Sequence, residues 1–262
     1  AAEQLREMAI NRPTHVFVQA GVGSLAGAVV GYFTNLYPDN PPTFVVVECA
    51  PAACLYKGAA AGDGDPRIVD GDMPSIMAGL CCGEPNILGW DILRNHTTAF
   101  VSCPDWVTAR GMRTLGAPEK GDPRVISGES GAVTTGLVET LMLDPEYAEL
   151  KELIGLDKTS SVLCFSTEGD TDPDQYRRIV WRASTRLASR LTCPEAAGGL
   201  YSLLGQSCSH GEHIKCSPAR AELATEQSPP SASYGYLLAG CSTSRCLVQV
   251  IYLKYLPVGK PL

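Results

Sequence analysis

Four residues, Gly21-Val22-Gly23-Ser24, put glycine freedom and a hydroxyl where one backbone pattern gives way to another. Before them, His15 to Gln19 is β-branched and aromatic, the pattern of a buried strand. After them, Leu25 to Leu36 is apolar and predicts a helix. Strand, glycine turn and helix start together aim several free N–H groups and the positive end of a helix dipole at one point. That arrangement holds anions, and a phosphate is its natural occupant. Ser24 adds a hydroxyl donor, while Gly21 and Gly23 let the backbone approach without a Cβ. The plainer alternative is a tight strand-to-helix connection whose glycines serve only packing.

Two phosphate-bearing cofactors compete for the bend. Gly21-x-Gly23-x-x-Ala26 fits the G-x-G-x-x-G/A dinucleotide fingerprint, and the strand at Phe44 to Glu48 ends in an acid where a ribose hydroxyl partner belongs. The elements beyond this unit decide between them.

A chain of 262 residues with 45% hydrophobic and 19% charged content has enough apolar surface for a sizeable core. Its net charge of −7 argues against nucleic acid or an anionic membrane surface as partner. No run of 18 apolar residues occurs, and residues 1–12 read as an amphipathic helix, not a signal peptide. The 11 cysteines are scattered through apolar segments, which suits reduced, buried thiols and a cytoplasmic setting.

Up to about residue 183 strands alternate with helices. Strands are expected at 14–19, 43–48, 98–102 and 161–166, and helices at 24–36, 50–61, 72–81, 87–93, 104–115 and 130–143. Asp72 is the expected N-cap of the 72–81 helix, with Pro74 in its first turn. The pattern predicts an α/β fold with a mostly parallel sheet flanked by helices on both faces. In such sheets ligands sit outside the carboxyl ends of the strands. Gly21–Ser24, Gly128–Gly131 and Ser166–Asp170 all leave strands or open helices there, and Cys82-Gly-Glu-Pro-Asn86 joins them between two helices. A dinucleotide accounts for only the first loop. Pyridoxal phosphate, gripped at its phosphate by one loop and at its ring nitrogen by another, accounts for several.

Longer blocks in the same order carry a resemblance. They are residues 14–27, Gly71-Asp-Met73 with Ile76-Met-Ala-Gly-Leu80, Cys82-Gly-Glu-Pro-Asn86 with Gly89-Trp90, Phe100-Val-Ser-Cys103, residues 122–132, and Ser166-Thr-Glu-Gly-Asp-Thr-Asp172. With these the chain resembles the diaminopropionate ammonia-lyase family of tryptophan-synthase-β-like (fold type II) pyridoxal-phosphate enzymes, over its later half only. The resemblance implies that Gly21, Val22, Gly23, Ser24 and Leu25 hold the cofactor phosphate. It implies that Ser166, with Thr167 as fallback, meets the pyridine nitrogen, that Glu129 and Ser130 line the ring pocket, and that Gly83 and Glu84 touch the ring edge. Taken one at a time, Ser166 could equally be a loop cap, Glu129 a solvated helix-start acid and Glu84-Pro85 a helix start. The implied reaction is α,β-elimination of 2,3-diaminopropionate to pyruvate and ammonia, by a homodimer acting on a small amino acid.

In that family the Schiff-base lysine lies well before the glycine loop, yet the 20 residues ahead of Gly21 contain no lysine. The expectation is therefore an incomplete enzyme, 1–182 being the C-terminal part of a catalytic domain, with open sheet edges and poor solubility. Residues 183–262 are expected to form an irregular tail outside the family, only Leu247–Leu253 having strand character. Cys208, His210, His213 and Cys216 could form a zinc clip, though the spacing favours free side chains. Cys54 could reach the Cys81-Cys82 pair if helices 50–61 and 72–81 pack together, but free thiols are the expectation there too.

Overall fold

A computed structural model describes residues 1–181, 213–218 and 247–252. The elements run α1 (Ala2–Glu7), β1 (His15–Gln19), α2 (Ser24–Leu36), β2 (Thr43–Cys49), α3 (Cys54–Ala61), α4 (Ile87–His96), β3 (Ala99–Cys103), α5 (Asp105–Gly116), α6 (Glu129–Leu143), α7 (Ala148–Leu153), β4 (Ser161–Ser166), α8 (Pro173–Trp181), β5 (Lys215–Pro218) and β6 (Leu247–Tyr252). The strands form one sheet in the order β5-β3-β2-β1-β4-β6. All neighbours are parallel except β5, which runs antiparallel to β3. The expected α/β class with a mostly parallel sheet is what the structure shows.

Alternation along the strands feeds two cores, because successive side chains point to opposite faces. Val16 and Val18 of β1, with Phe44 and Val46 of β2, pack beneath Ala26, Val30 and Phe33 of α2 and Trp90 and Leu93 of α4. Phe17, Val45 and Val47 pack on the other face against Val133, Leu137 and Leu141 of α6. Burial on both faces explains the near-continuous apolar runs that mark these strands in the sequence.

Three expected helices differ. The helix at 72–81 is absent: Ala78–Leu80 makes a single 3-10 turn and the residues before it are irregular. The Asp105 carboxylate accepts from Ser75 Oγ (2.6 Å) and from Ile76 N (3.2 Å), holding this stretch open so that Met77 can enter the core. The helix at 50–61 is broken, a 3-10 turn at Ala50–Ala52 preceding α3. The N-terminal helix stops at Glu7 because Ala9 adopts a left-handed φ of 57°, returning Ile10 N to Leu5 O (2.8 Å) and burying Ile10.

Residues beyond 182 supply both outer strands. β5 pairs with β3 from Ser102↔Lys215 to Ala99↔Pro218, and β6 with β4 from Ser161↔Leu247 to Ser166↔Tyr252. The edges expected to be open thus carry pairing partners. Of the zinc-clip residues, Cys208 and His210 lie outside the described residues. His213 faces Glu146 (Nδ1–Oε1 3.3 Å), and Cys216 packs half-buried on the core.

Cys54, Cys81 and Cys82 carry free thiols. Cys81 lies nearest Cys49, with 4.0 Å between sulfurs. Burial pushes the Cys49 and Cys54 thiols up to about 12, so both are held protonated.

Candidate cofactor site

Gly23 is the N-cap of α2 and sits at φ 91°, where L side chains are strained. It brings no side-chain oxygen to the first turn of the helix. A Cβ on Gly23 would also lie 3.2 Å from methyls of Leu55 and Leu93, so packing and backbone both demand glycine. Behind the bend, Asn86 N donates to Val22 O (2.7 Å), and Gly27 meets Gly89 so closely that a Cβ would lie 2.9 Å from Gly89 Cα. The bend is therefore held from behind by α4, while Ser24 and Leu25 are exposed in front.

A chain of contacts joins this bend to the other polar loops. Gly21 packs on the 3-10 turn, with room for a Cβ only 3.4 Å from Gly79 O and from Cys82 Cβ. Gly79 N donates to Ser130 Oγ (3.2 Å) at the start of α6. The Glu168 carboxylate accepts from Ser130 N, and from Gly131 N at 3.3 Å. Gly128 N donates to Glu168 O (3.1 Å), and Ser166 Oγ donates to Ser127 Oγ (2.8 Å). Gln19, at the end of β1, donates from Nε2 to Thr167 Oγ1 (2.8 Å). The loops at 21–25, 79–83, 127–131 and 166–169 thus lie together at the carboxyl edge of the sheet, at β1 and its neighbour β4.

Individual residues follow unevenly. Ser130 and Ser166 are buried within the cluster, and Thr167 is half-buried beside it. Glu129 is only 7% exposed and its Oε1 has no hydrogen-bond partner. Burial pushes its carboxyl up, and the nearby Glu168 and Asp172 charges add to the effect. Gly83 is buried against Val69, whose N donates to its carbonyl (2.9 Å), so that carbonyl is already engaged. Glu84 is exposed. Glu168, Ser127 and Gln19 were missing from the sequence-based candidates. Each acts through contacts between residues tens to well over a hundred positions apart, which no local motif announces.

Glu48 sits differently from the expectation of a ribose partner. It is 1% exposed, and its two oxygens accept from Leu55 N (2.9 Å) and Tyr56 N (2.7 Å), closing the first turn of α3. A ribose finds no free acid at the end of β2, and the dinucleotide alternative falls with it. Burial pushes the Glu48 carboxyl up to about 8, outweighing the pull of the two amides. A carboxyl that stays protonated in the fold but ionises near 4.5 when exposed makes stability fall as pH rises between those values. The slope approaches about 1.4 kcal/mol per pH unit. Glu48→Gln, which cannot ionise, is expected to flatten the decline in thermal stability from about pH 5 to 8. An unchanged slope would show that the native carboxyl is already ionised.

The profile described as "Pyridoxal-phosphate dependent enzyme" matches residues 1–151. The chain is 50% identical over 188 residues to diaminopropionate ammonia-lyase of Escherichia coli (strain K12), covering 72% of this chain and 46% of that protein. The Salmonella typhimurium protein of the same name is 50% identical over 182 residues, covering 69% and 45%. A solved structure of the Escherichia coli enzyme, in complex with an aminoacrylate-PLP azomethine reaction intermediate, aligns with a TM-score of 0.63 at 48% identity, over 70% of this chain and 45% of that one. The chain spans about half the length of the relatives it matches.

Proposed function

Because the chain belongs to the pyridoxal-phosphate-dependent enzyme family, we propose that it forms the cofactor-holding part of a carbon–nitrogen lyase that eliminates ammonia from 2,3-diaminopropionate. One observation carries this reading: of the helices that start at this sheet edge, α3, α5 and α6 each have an acidic side chain in or against the first turn, and α2 has none. The start of α6 is filled by the Glu168 carboxylate. The start of α2 has no side-chain cap and is opened by glycines, which leaves the dipole end that suits a phosphate. The chemistry of the surrounding groups fits the cofactor: amides at one end, and neutral hydroxyls on Ser166 and Thr167 at the other.

When bound, pyridoxal phosphate supplies an electron sink for the pair left at Cα of an amino acid. The chain's own residues do the holding. Backbone N–H groups from Val22 to Leu25, with the Ser24 hydroxyl, grip the phosphate. Ser166, whose hydroxyl donates to Ser127 here, would turn it to the pyridine nitrogen; a neutral partner leaves that nitrogen largely unprotonated. Glu129 and Ser130 wall the ring, and the backbone at Gly83 and Glu84 borders its edge. The substrate is a small amino acid and the working unit a homodimer. The proposal puts the Schiff-base lysine outside this sequence: Lys57 lies in α3, Lys151 in α7, Lys215 in β5, and Lys120 and Lys158 in connecting segments, while Lys254 and Lys260 fall outside the described residues. Among the described residues no helix is long and apolar enough to cross a membrane.

Titration of the 262-residue chain with pyridoxal phosphate, followed by borohydride and peptide mapping, tests the reading. Saturable binding with no stoichiometric pyridoxyl-lysine is expected. No binding would remove the cofactor site; one stoichiometrically labelled lysine would remove the proposal that it comes from elsewhere.

A further inference from the structure

Gln19 ends β1, is 2% exposed, and does more than fill space. Its Nε2 donates to Phe165 O (2.9 Å) and to Thr167 Oγ1 (2.8 Å), the residues on either side of Ser166. The first bond fixes the amide's orientation, since a flipped group would set oxygen against oxygen. Oε1 is buried without a hydrogen-bond partner. The backbone does not make this link. Pairing between β1 and β4 runs from His15↔Val162 to Phe17↔Cys164 and stops, whereas β1 stays paired with β2 as far as Gln19↔Val47. Two residues after Gln19 the chain enters the glycine bend, and one residue after Phe165 it reaches Ser166. Beyond the end of the ladder, this one amide ties the strand that launches the bend to the turn that carries both hydroxyls.

We infer that Gln19 is a positioning residue that sets the span between the phosphate loop and the Ser166–Thr167 turn. The inference rests on the reading of that edge as a pyridoxal phosphate cradle. Without the amide each end of the cradle survives and the longer route through Gly79, Ser130 and Glu168 still joins them, but the direct tie that sets the separation required by a ligand gripped at both ends is lost. Loss of the link therefore penalises a ligand that bridges the span and spares one that occupies the loop alone.

The test measures binding of pyridoxal phosphate and of inorganic phosphate to the full chain, by near-ultraviolet absorbance and phosphorus NMR. Gln19→Leu is expected to weaken pyridoxal phosphate about tenfold, with phosphate affinity unchanged within about twofold and the bound ring's absorbance band displaced. Thr167→Val cuts the same link from its other end and should reproduce the selective loss. The double variant should bind no more weakly than the worse single variant, because both break one connection. Equal losses for the two ligands, full additivity, or an unchanged affinity for pyridoxal phosphate would overturn the assignment. If Gln19→Leu fails to fold, judged by circular dichroism and a thermal melt, Thr167→Val and the shape-preserving Gln19→Glu decide by the same ratio of affinities. Failure of the wild-type chain to bind pyridoxal phosphate has a separate signature: it overturns the cradle, and this assignment with it.

Discussion

Ser24→Asp is expected to weaken pyridoxal phosphate binding by on the order of thirtyfold while leaving the protein as stable as before or slightly more so. The two effects share one cause and have opposite signs. Ser24 is the first residue of α2 and is exposed, so the substitution disturbs no packing. A carboxylate in the first turn meets the same uncapped amides and dipole that would meet a phosphate, and contributes about 0.3–1 kcal/mol to the fold. Placed about 5 Å from a doubly charged phosphate at near-solvent dielectric, it costs binding about 2 kcal/mol. Calorimetric titration and a thermal melt on one preparation check both halves. Retained affinity would show that the phosphate lies elsewhere, and a parallel loss of stability would make the bend a packing turn only.

Gly136→Ala should destabilise the fold by about 3 kcal/mol, a large effect for a single methyl group, and should loosen the site as well. Where α5 crosses α6, a Cβ at Gly136 would sit 1.9 Å from Val107 O and 2.9 Å from Gly111 N. Both are backbone atoms, so relief requires moving one helix off the other. The crossing is also tied at its far end, where Arg110 reaches Glu139 (3.3 Å) and pairs with Asp144. α6 begins with Glu129 and Ser130, so displacing it pulls Ser130 away from Gly79 and Glu168. Gly31→Ala in α2 is the internal control: its Cβ would meet only Ile92 methyls at 3.7 Å, an ordinary contact. There the helix gains up to about 1 kcal/mol from losing a glycine. Denaturant unfolding of the two variants should therefore give opposite signs; a loss below about 1 kcal/mol for Gly136→Ala would show that the crossing can relax.

The β1–α2–β2 unit was legible because every local preference agreed: β-branched runs for strands, glycines at the bend, an apolar helix after it. Segment 72–81 misled for the opposite reason. Its Asp72-Met-Pro74 start has the composition of a helix cap, but the Asp105 carboxylate, about thirty residues away, takes the hydrogen bonds of Ser75 and Ile76. Glu48 leaves two local readings open because an acid closing a buried helix and an acid binding ribose both belong just after a parallel strand. Only its burial distinguishes them. Of the candidate site, the glycine bend could be picked out from its neighbours in sequence, and the resemblance pointed to the Ser130 and Ser166 hydroxyls. Glu168, Ser127 and Gln19 could not, since their roles depend on which loops the sheet order places side by side.

Glu168 has a consequence for how a ligand enters. By seating its own carboxylate on α6, the protein occupies a rival anchorage for an anion at this sheet edge and leaves the uncapped start of α2 open. A molecule with a dianionic tail and an uncharged aromatic head would then be drawn in tail first toward α2. Which end of such a molecule leads would thus be set by charge before its ring meets any side chain.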